Sequence, residues 1–272
     1  MICFPNAKIN LGLRVTEKRN DGYHNIETIF YPVPWCEALE IIENKTSSTL
    51  FNLHLSGLPI SGNTTDNLLY KAYYLIKDKI TVPSIDVFLN KTLPMGAGLG
   101  GGSADAAFFI NLMNTQFDLG LTVTTRLEIA KQLGSDCAFF IENKPVLATQ
   151  KGDVFEPIQL DLSHLWIAII YPNLHSNTQD AYRLVVPKKH TTKLSEIISQ
   201  PISEWRTVLH NDFEESIFSK FPLIKKIKEE LYQYGATYAC MSGSGSAVFG
   251  LFESKPDLSH LTNFPHWVGK LK

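Results

Sequence analysis

Residues 93–107 read LPMGAGLGGGSADAA, with five glycines in the seven positions 96–102 and a helix-forming run behind them. A glycine held in regular structure costs about 0.5–1 kcal/mol against alanine. Bare backbone is wanted here for a reason. The stretch contains G-x-G-x-x-G at Gly96, Gly98 and Gly101, the spacing of a dinucleotide fingerprint. Its surroundings argue against that use. Several strands precede the loop, Leu93-Pro94 separates strand from glycines, and no strand ending in an acid follows at the required distance. A Walker A loop does not fit either, because the only Gly-Lys pair is Gly269-Lys270. A turn that merely packs a strand on a helix needs one or two glycines. What remains is an anion cradle, in which loop N–H groups and the positive end of the next helix hold a polyphosphate. Ser103 is expected at the N-cap of that helix, within reach of a phosphate or its metal ion.

The chain has 272 residues, enough to bury a sizeable core in one large domain or two modest ones. At 44% hydrophobic and 19% charged residues it has the composition of a soluble globular protein. A net charge of −2 gives no electrostatic case for nucleic acid. MICFPNAK, at the start, lacks the basic-then-apolar order of a signal peptide, and the apolar run WIAIIY (166–171) is too short to cross a bilayer. Cys3, Cys36, Cys137 and Cys240 show no C-x-x-C spacing, so free thiols in a reducing cytoplasm are expected. No His/Cys cluster has metal-ligand spacing, and no protein-held metal is expected.

Ala7, Ile9, Leu11, Leu13 and Val15 alternate with Lys8, Asn10, Gly12 and Arg14, which predicts a half-buried strand over 7–15. An Asn-Asp-Gly turn at 20–22 then returns the chain as a second strand through NIETIFYPV. Further strands are expected at 39–43, 50–55 and 85–91. Helices are expected at 65–80, capped by Thr65 or Asp66, and at 103–113. Another is expected at 125–134, with Thr125 and Glu128 as a capping box and Gly134 as its stop. AFFI (138–141) reads as extended. Beyond about residue 155 come a strand at LWIAIIYP, a short helix at 178–185, helices across 203–234, and a strand–turn–strand over 236–252 before a short tail. This order indicates α+β architecture, not a doubly wound parallel sheet, with domains at 1–155 and 156–272.

Four segments together resemble the GHMP small-molecule kinases: PNAKINLGLRVTEKRNDGYHNIETIF (5–30), PMGAGLGGGSADAA (94–107), HNDFE (210–214) and MSGSGSAVFGLF (241–252). They span most of the chain in the family's order. The resemblance implies a ribosomal-protein-S5-domain-2-like nucleotide domain followed by a ferredoxin-like α/β plait. It implies ATP, with magnesium borne by its phosphates, on Pro94, Met95, Gly96, Ala97, Gly98, Leu99, Gly100, Gly101, Gly102, Ser103 and Ala104. The triple glycine is similar to the branch whose acceptor is methylerythritol linked to cytidine diphosphate, phosphorylated at its 2-hydroxyl in the non-mevalonate isoprenoid route. One departure stands out. Cys137-Ala138 replaces the aliphatic residue and proline more usual in the family.

The resemblance also implies residue roles. Asp136, just past a helix stop, becomes the general base; on sequence grounds alone it reads first as a helix-terminal surface aspartate. Lys8 would pair with Asp136 and the acceptor hydroxyl, where alternation alone makes it a lysine on an exposed sheet face. A nearby lysine lowers a carboxylate's pKa, so the pair would act mainly by orientation and by stabilising developing charge. Asn10 shares the face of Lys8 and is a candidate hydrogen-bonding partner of the acceptor. Tyr23, His24, Thr178 and Tyr182 would hold the cytidine, the tyrosines by stacking, in a clamp that smaller acceptors would not need. Ser242-Gly243-Ser244-Gly245 would pack beside the phosphates, and residues 65–72 with Lys91 are candidate walls for adenine. A kinase for a smaller alcohol and a non-catalytic nucleotide-binding protein remain as alternatives, with a monomer or weak homodimer expected.

Overall fold

The structure is a computed structural model that describes residues 1–46, 48–259 and 263–272. The first half of the chain carries strands β1 (Ile2–Cys3), β2 (Asn6–Lys18), β3 (His24–Cys36), β4 (Ala38–Glu43) and β5 (Phe51–Gly57). Helix α1 (Leu68–Lys77), strand β6 (Ile85–Lys91) and helices α2 (Gly101–Gln116), α3 (Val123–Leu133) and α4 (Phe139–Glu142) follow. Next come β7 (Val146–Thr149), β8 (Val154–Pro157) and β9 (Trp166–Ile170). Helices α5 (Thr178–Leu184), α6 (Leu194–Ile198), α7 (Ile202–Val208), α8 (Glu214–Lys220) and α9 (Pro222–Gln233) lead to β10 (Tyr238–Met241), β11 (Val248–Phe252) and β12 (His266–Lys270). The chain divides into two compact units that interleave in sequence. A division at 155/156 separates sequence halves, a different partition from these spatial units.

Unit one comprises Met1–Ala7, Cys36–Met95 and Gly100–Asn143. Its sheet has the order β1-β4-β6-β5. β4 pairs antiparallel with β6, whereas β5 pairs parallel with it, so α1 serves as the crossover between two parallel strands. Alternation along β6 buries Ile85, Val87, Leu89 and Lys91 on one side. Leu69, Ala72, Tyr73 and Ile76 from α1 and Phe109, Ile110 and Met113 from α2 complete the core. Each of these residues removes apolar surface from water at about 25 cal/mol per Å².

Unit two comprises Lys8–Trp35, Gly96–Leu99 and Lys144–Lys272. It holds two sheets, β2-β3-β7-β8 and β10-β11-β9-β12. Every pairing within the second is antiparallel. Helix α9 lays Ile224, Ile227 and Leu231 on β10 and β11. Its outer face carries Lys225–Glu229 and Lys226–Glu230 pairs at i,i+4. Antiparallel sheet covered by helices is the α+β arrangement expected for this half.

Several local expectations are corrected. β2 is buried on both faces from Asn6 to Val15, because its polar face lies under a further layer in unit two. Gly12 shows this plainly: a Cβ there would meet Leu209 Cδ1 at 2.5 Å. Helix α1 is capped by Asn67, whose side chain accepts from Leu69 N, so Thr65 and Asp66 form a separate 3-10 turn before it. Helix α3 is capped by Thr122 accepting from Thr125 N, one turn earlier than the expected box. AFFI is the start of helix α4, and the C-terminal tail supplies strand β12 on the β9 edge.

Candidate active site

In unit two, the polar face of β2 carries Lys8 and Asn10, only 3% and 2% exposed. A buried ammonium needs partners. Lys8 Nζ donates to Asn10 Oδ1 at 2.7 Å and lies 4.7 Å from the centre of the Phe30 ring. Asn10 Nδ2 donates in turn to Thr28 Oγ1 at 2.9 Å, and Thr28 Oγ1 donates to Gly12 O. The chain thus fixes the direction in which the lysine and the asparagine point.

The middle of the glycine loop, Gly96–Leu99, belongs to the same unit. Three successive carbonyls there accept from the protein. Ala247 N donates to Ala97 O at 3.1 Å, Ser242 Oγ to Gly98 O at 2.8 Å, and Lys8 N to Leu99 O at 2.9 Å. The loop's acceptors are therefore engaged within the protein, which suits a segment meant to present donors to an anion. Gly98 has φ +81°, and a Cβ on it would stand 2.0 Å from Ser242 O. Only glycine fits that approach. The 242–245 turn is itself held by Asn211, which is buried and donates to both Met241 O and Gly243 O at 2.8 Å. Ser244 Oγ and Thr178 Oγ1 are 2.9 Å apart.

Unit one holds the two ends of the loop. Helix α2 begins at Gly101, with Gly100 at φ +74° as its N-cap. Ser103 is therefore the third helical residue and not the cap, so residues 101–103 present N–H groups of the helix's first turn. Ser103 hydrogen-bonds the Cys137 thiol, which ties the 134–138 turn to the start of α2. Burial pushes that thiol up to about 11, with Ser103 pulling it down and Asp136 adding to the rise. Asp136 itself is half-buried in this turn between α3 and α4. Replacing the family's usual pair by Cys137-Ala138 keeps the aspartate beside the α2 N-terminus. Pro94 is buried and Met95 exposed at the loop's entrance, and Ala104 is fully buried on α2.

Lys91 does not line an open wall. It is 1% exposed, with Nζ 2.7 Å from Glu37 Oε2 and 2.8 Å from Asp105 Oδ2. Sequence reading missed this triad, although Lys91 alternates onto the apolar side of β6 and Asp105 stands among alanines in α2, both burial signals. Near residues 65–72, unit one has a hollow lined by Tyr70, Lys71, Tyr74, Leu75, Asp78, Gln132 and Leu133.

Among the expected clamp residues, His24 stacks on Tyr182 with ring centres 4.9 Å apart and 18° between planes. Tyr182 is braced edge-on by Phe213 at 4.8 Å. Burial, then the Lys18 charge, holds the His24 imidazole below its ordinary value, so it is neutral near pH 7. Tyr23 is 62% exposed, with Lys151 Nζ 5.2 Å from its ring centre. His175, not singled out from sequence, lies against the loop where a Cβ on Gly96 would meet its ring at 2.8 Å. Among the described residues no group of three or more His, Cys, Asp or Glu is placed to hold a metal ion.

Comparison with known proteins agrees with this layout. Residues 67–144 match the GHMP kinases N terminal domain and residues 194–264 the GHMP kinases C terminal domain. The chain is 50% identical over 261 residues to a 4-diphosphocytidyl-2-C-methyl-D-erythritol kinase of Bacteroides fragilis, covering 96% of this chain and 95% of the relative. The same-named kinase of Bacteroides thetaiotaomicron is 49% identical with both chains fully covered. A crystal structure of a 4-(cytidine 5'-diphospho)-2C-methyl-D-erythritol kinase superposes with a TM-score of 0.84 at 28% identity, over 100% of this chain and 99% of that one. A Methanococcus jannaschii mevalonate kinase shares the fold with a TM-score of 0.73 at 14% identity, over 100% of this chain and 98% of the other. By these matches the chain belongs to the 4-diphosphocytidyl-2-C-methyl-D-erythritol kinases of the GHMP kinase family.

Proposed function

We propose that this enzyme moves the γ-phosphate of ATP to the 2-hydroxyl of 4-diphosphocytidyl-2-C-methyl-D-erythritol, a step in isoprenoid precursor synthesis. The observation that carries the reading is the burial of Lys8 on a hydrogen-bonded polar strand face, in a chain half identical to kinases of that name. A lysine fixed in this way suits work on charge that develops during a reaction, which a binding module has no need of. ATP is the donor in this family. Its phosphates would rest on residues 94–104, where the loop carbonyls are engaged elsewhere and the α2 N–H groups begin.

Magnesium would arrive on the phosphates, held chiefly by their oxygens, with the Ser103 hydroxyl as a further oxygen ligand. The ion, when bound, would offset phosphate charge. The acceptor hydroxyl attacks the γ-phosphorus, its proton passes to the Asp136 carboxylate, and ADP leaves with the bridging oxygen. Lys8 stabilises the charge on the attacking oxygen and the transferring group, and Asn10 orients both. Phosphoryl transfer is loose, so this positioning outweighs proton abstraction. His24, Tyr182, Tyr23 and Thr178 would receive the cytidine. The stacked His24–Tyr182 pair supports a base-bearing acceptor over homoserine or mevalonate.

Residues 1–155 would serve ATP and residues 156–272 complete the acceptor site, in a monomer or weak homodimer without nucleic acid or membrane. None of the four cysteines is joined in a disulfide, which suits a reducing cytoplasm. The test is ATP consumption with magnesium across a panel of the cytidylyl acceptor, homoserine, mevalonate, galactose and no acceptor. Turnover on the cytidylyl compound alone is expected. Turnover on another acceptor would remove the clamp while keeping the kinase, and bound ATP without any turnover would remove the kinase.

A further inference from the structure

The stretch HNDFE (210–214), in unit two, has no part in the proposed reaction, yet three of the elements that do are anchored on it. The first is β2, the strand of Lys8 and Asn10. Leu13 N donates to His210 O at 3.0 Å, Asp212 N donates to Leu13 O at 2.8 Å, and Val15 N donates to Asp212 Oδ2 at 2.7 Å. Asn211 thereby pairs in parallel with Leu13, on the edge of β2 that β3 leaves open.

The second is the 242–245 turn. Asn211 and Glu214 stand three residues apart, on one side of the turn that opens α8, and both reach Met241. Asn211 Nδ2 donates to Met241 O and Gly243 O, and Glu214 Oε1 accepts from Met241 N at 2.9 Å. Lys228 Nζ, from α9, donates to Glu214 Oε2 at 2.7 Å and keeps that buried carboxylate paired. Both backbone groups of Met241 are thus fixed by one turn, and its neighbour Ser242 carries the bond to Gly98 O in the glycine loop. The third is α5. Phe213 meets Tyr182 edge-on, and Tyr182 stacks on His24. Asn211 Oδ1 accepts from Phe213 N at 3.0 Å, which locks the turn itself. Asn211, Phe213 and Glu214 are buried, so each acts through the group it holds.

We propose that Asn211, Asp212, Phe213 and Glu214 are positioning residues on three separate branches. Asp212 aims the strand of Lys8, Asn211 with Glu214 seats the turn that supports the glycine loop, and Phe213 sets the ring that meets the acceptor's base. The branches rest on the roles proposed above for Lys8, residues 94–104 and Tyr182. Loose phosphoryl transfer depends on placement, so one turn shared by strand, loop and clamp fixes their mutual positions without touching a ligand.

Steady-state kinetics of full-length variants tests the branches, with kcat, KM for ATP and KM for the acceptor measured separately. Phe213→Leu keeps an apolar side chain in place but removes the edge contact. Acceptor KM should rise about fivefold, with KM for ATP within about twofold. Asn211→Ala should do the reverse, raising KM for ATP about fivefold or more. Asp212→Ala should lower kcat about tenfold with both KM values within about twofold. Asp212→Asn, which still offers Val15 N an oxygen, should restore it. A turn that serves stability alone would leave the kinetics unchanged or move all three parameters together. Either pattern overturns the proposal, as does an Asp212→Asn no better than Asp212→Ala. Where Asn211→Ala or Asp212→Ala fails to fold, Phe213→Leu decides: a rise confined to acceptor KM upholds the proposal, and any other pattern overturns it. Two direct variants separate this inference from the reading beneath it. Tyr182→Ala should raise acceptor KM about tenfold. Gly102→Asp, whose Cβ meets nothing within 4 Å, should raise KM for ATP about tenfold or more by charge repulsion. An unchanged KM in either removes the role it tests, and the branch with it. Full effects there, beside inert Phe213→Leu and Asn211→Ala, overturn the positioning turn alone.

Discussion

Lys8 illustrates what alternation can and cannot reveal about a single residue. Its place opposite Ala7 and Ile9 is plain from the period of two, but whether that polar face meets water depends on a second layer. Here the layer exists, and a lysine 3% exposed must be held by partners such as Asn10. Asp136, by contrast, has no periodic signature, since its turn follows Gly134 and precedes a four-residue helix. Asp136→Asn retains size and hydrogen bonding while removing the base. The turnover number should fall by about 10²–10⁴-fold. ATP affinity measured by calorimetry should stay within about threefold. Near-normal turnover would end its assigned role. His24 gives a prediction in pH. Its folded pKa lies below the ordinary value through burial and then Lys18, so the folded chain takes up its proton later than the unfolded chain. The stability tied to this site is therefore present above about pH 6.5 and is lost as pH falls from there through the folded pKa. Acceptor KM should be flat from about pH 8 to 6.5 and rise in acid, and that acid limb should vanish in His24→Asn. An NMR titration of His24 with a midpoint above the free-imidazole value would contradict this.

The elements were legible where one period ran unbroken. β6 spans Ile85–Lys91, the limits expected from its alternation, and α9 begins at a proline and stops just short of Gly235. They were less legible where two signals overlap. Gly101 and Gly102 read as loop by composition and Ser103 as the helix cap, yet all three open α2 and Gly100 supplies the left-handed cap. AFFI is apolar enough for either state, and tertiary packing beside α2 and α3 made it helical. β12 was missed because a short strand at a sheet edge needs its partner β9 to exist. The glycines, alike in sequence, should differ sharply on substitution. Gly98→Ala combines φ +81° with a Cβ 2.0 Å from Ser242 O. It should cost about 2–4 kcal/mol in a denaturant melt and disturb the 242–245 turn. Gly102→Ala has open space inside a helix and should gain up to about 1 kcal/mol. Equal effects would mean that the loop does not hold this geometry. Asn211→Ala leaves the Met241 and Gly243 carbonyls buried without their donor. A loss of about 2–4 kcal/mol is expected, with ATP KM rising through the turn that Asn211 holds.

At the scale of the whole molecule, the sequence half-boundary and the spatial units diverge because the chain passes between units five times. Residues 8–35 and 96–99 lie far from 144–272 in sequence yet belong to the same unit. Periodicity and capping are local signals and carry no information on such pairings. The sequence trace is indirect: the 242–245 turn and the glycine loop are both rich in glycine, and they meet at Gly98 and Ser242. Interleaving has a thermodynamic consequence. Neither unit is one continuous stretch, so neither can complete its core from a contiguous fragment of its own, and each is joined along the chain to segments of the other. Two buried thiols report on this separately. Cys137 lies in unit one and Cys240 in unit two, and burial pushes both thiols up and out of reach of alkylating reagents while folded. Labelling along a urea series, followed by peptide mass analysis, should give the two sites one midpoint within about 0.3 M. Independent units would give two midpoints, with Cys137 or Cys240 reacting while the other stays shielded. A fragment of residues 1–155 would then fold alone, whereas a single midpoint predicts that this fragment labels fully at Cys137 without any urea.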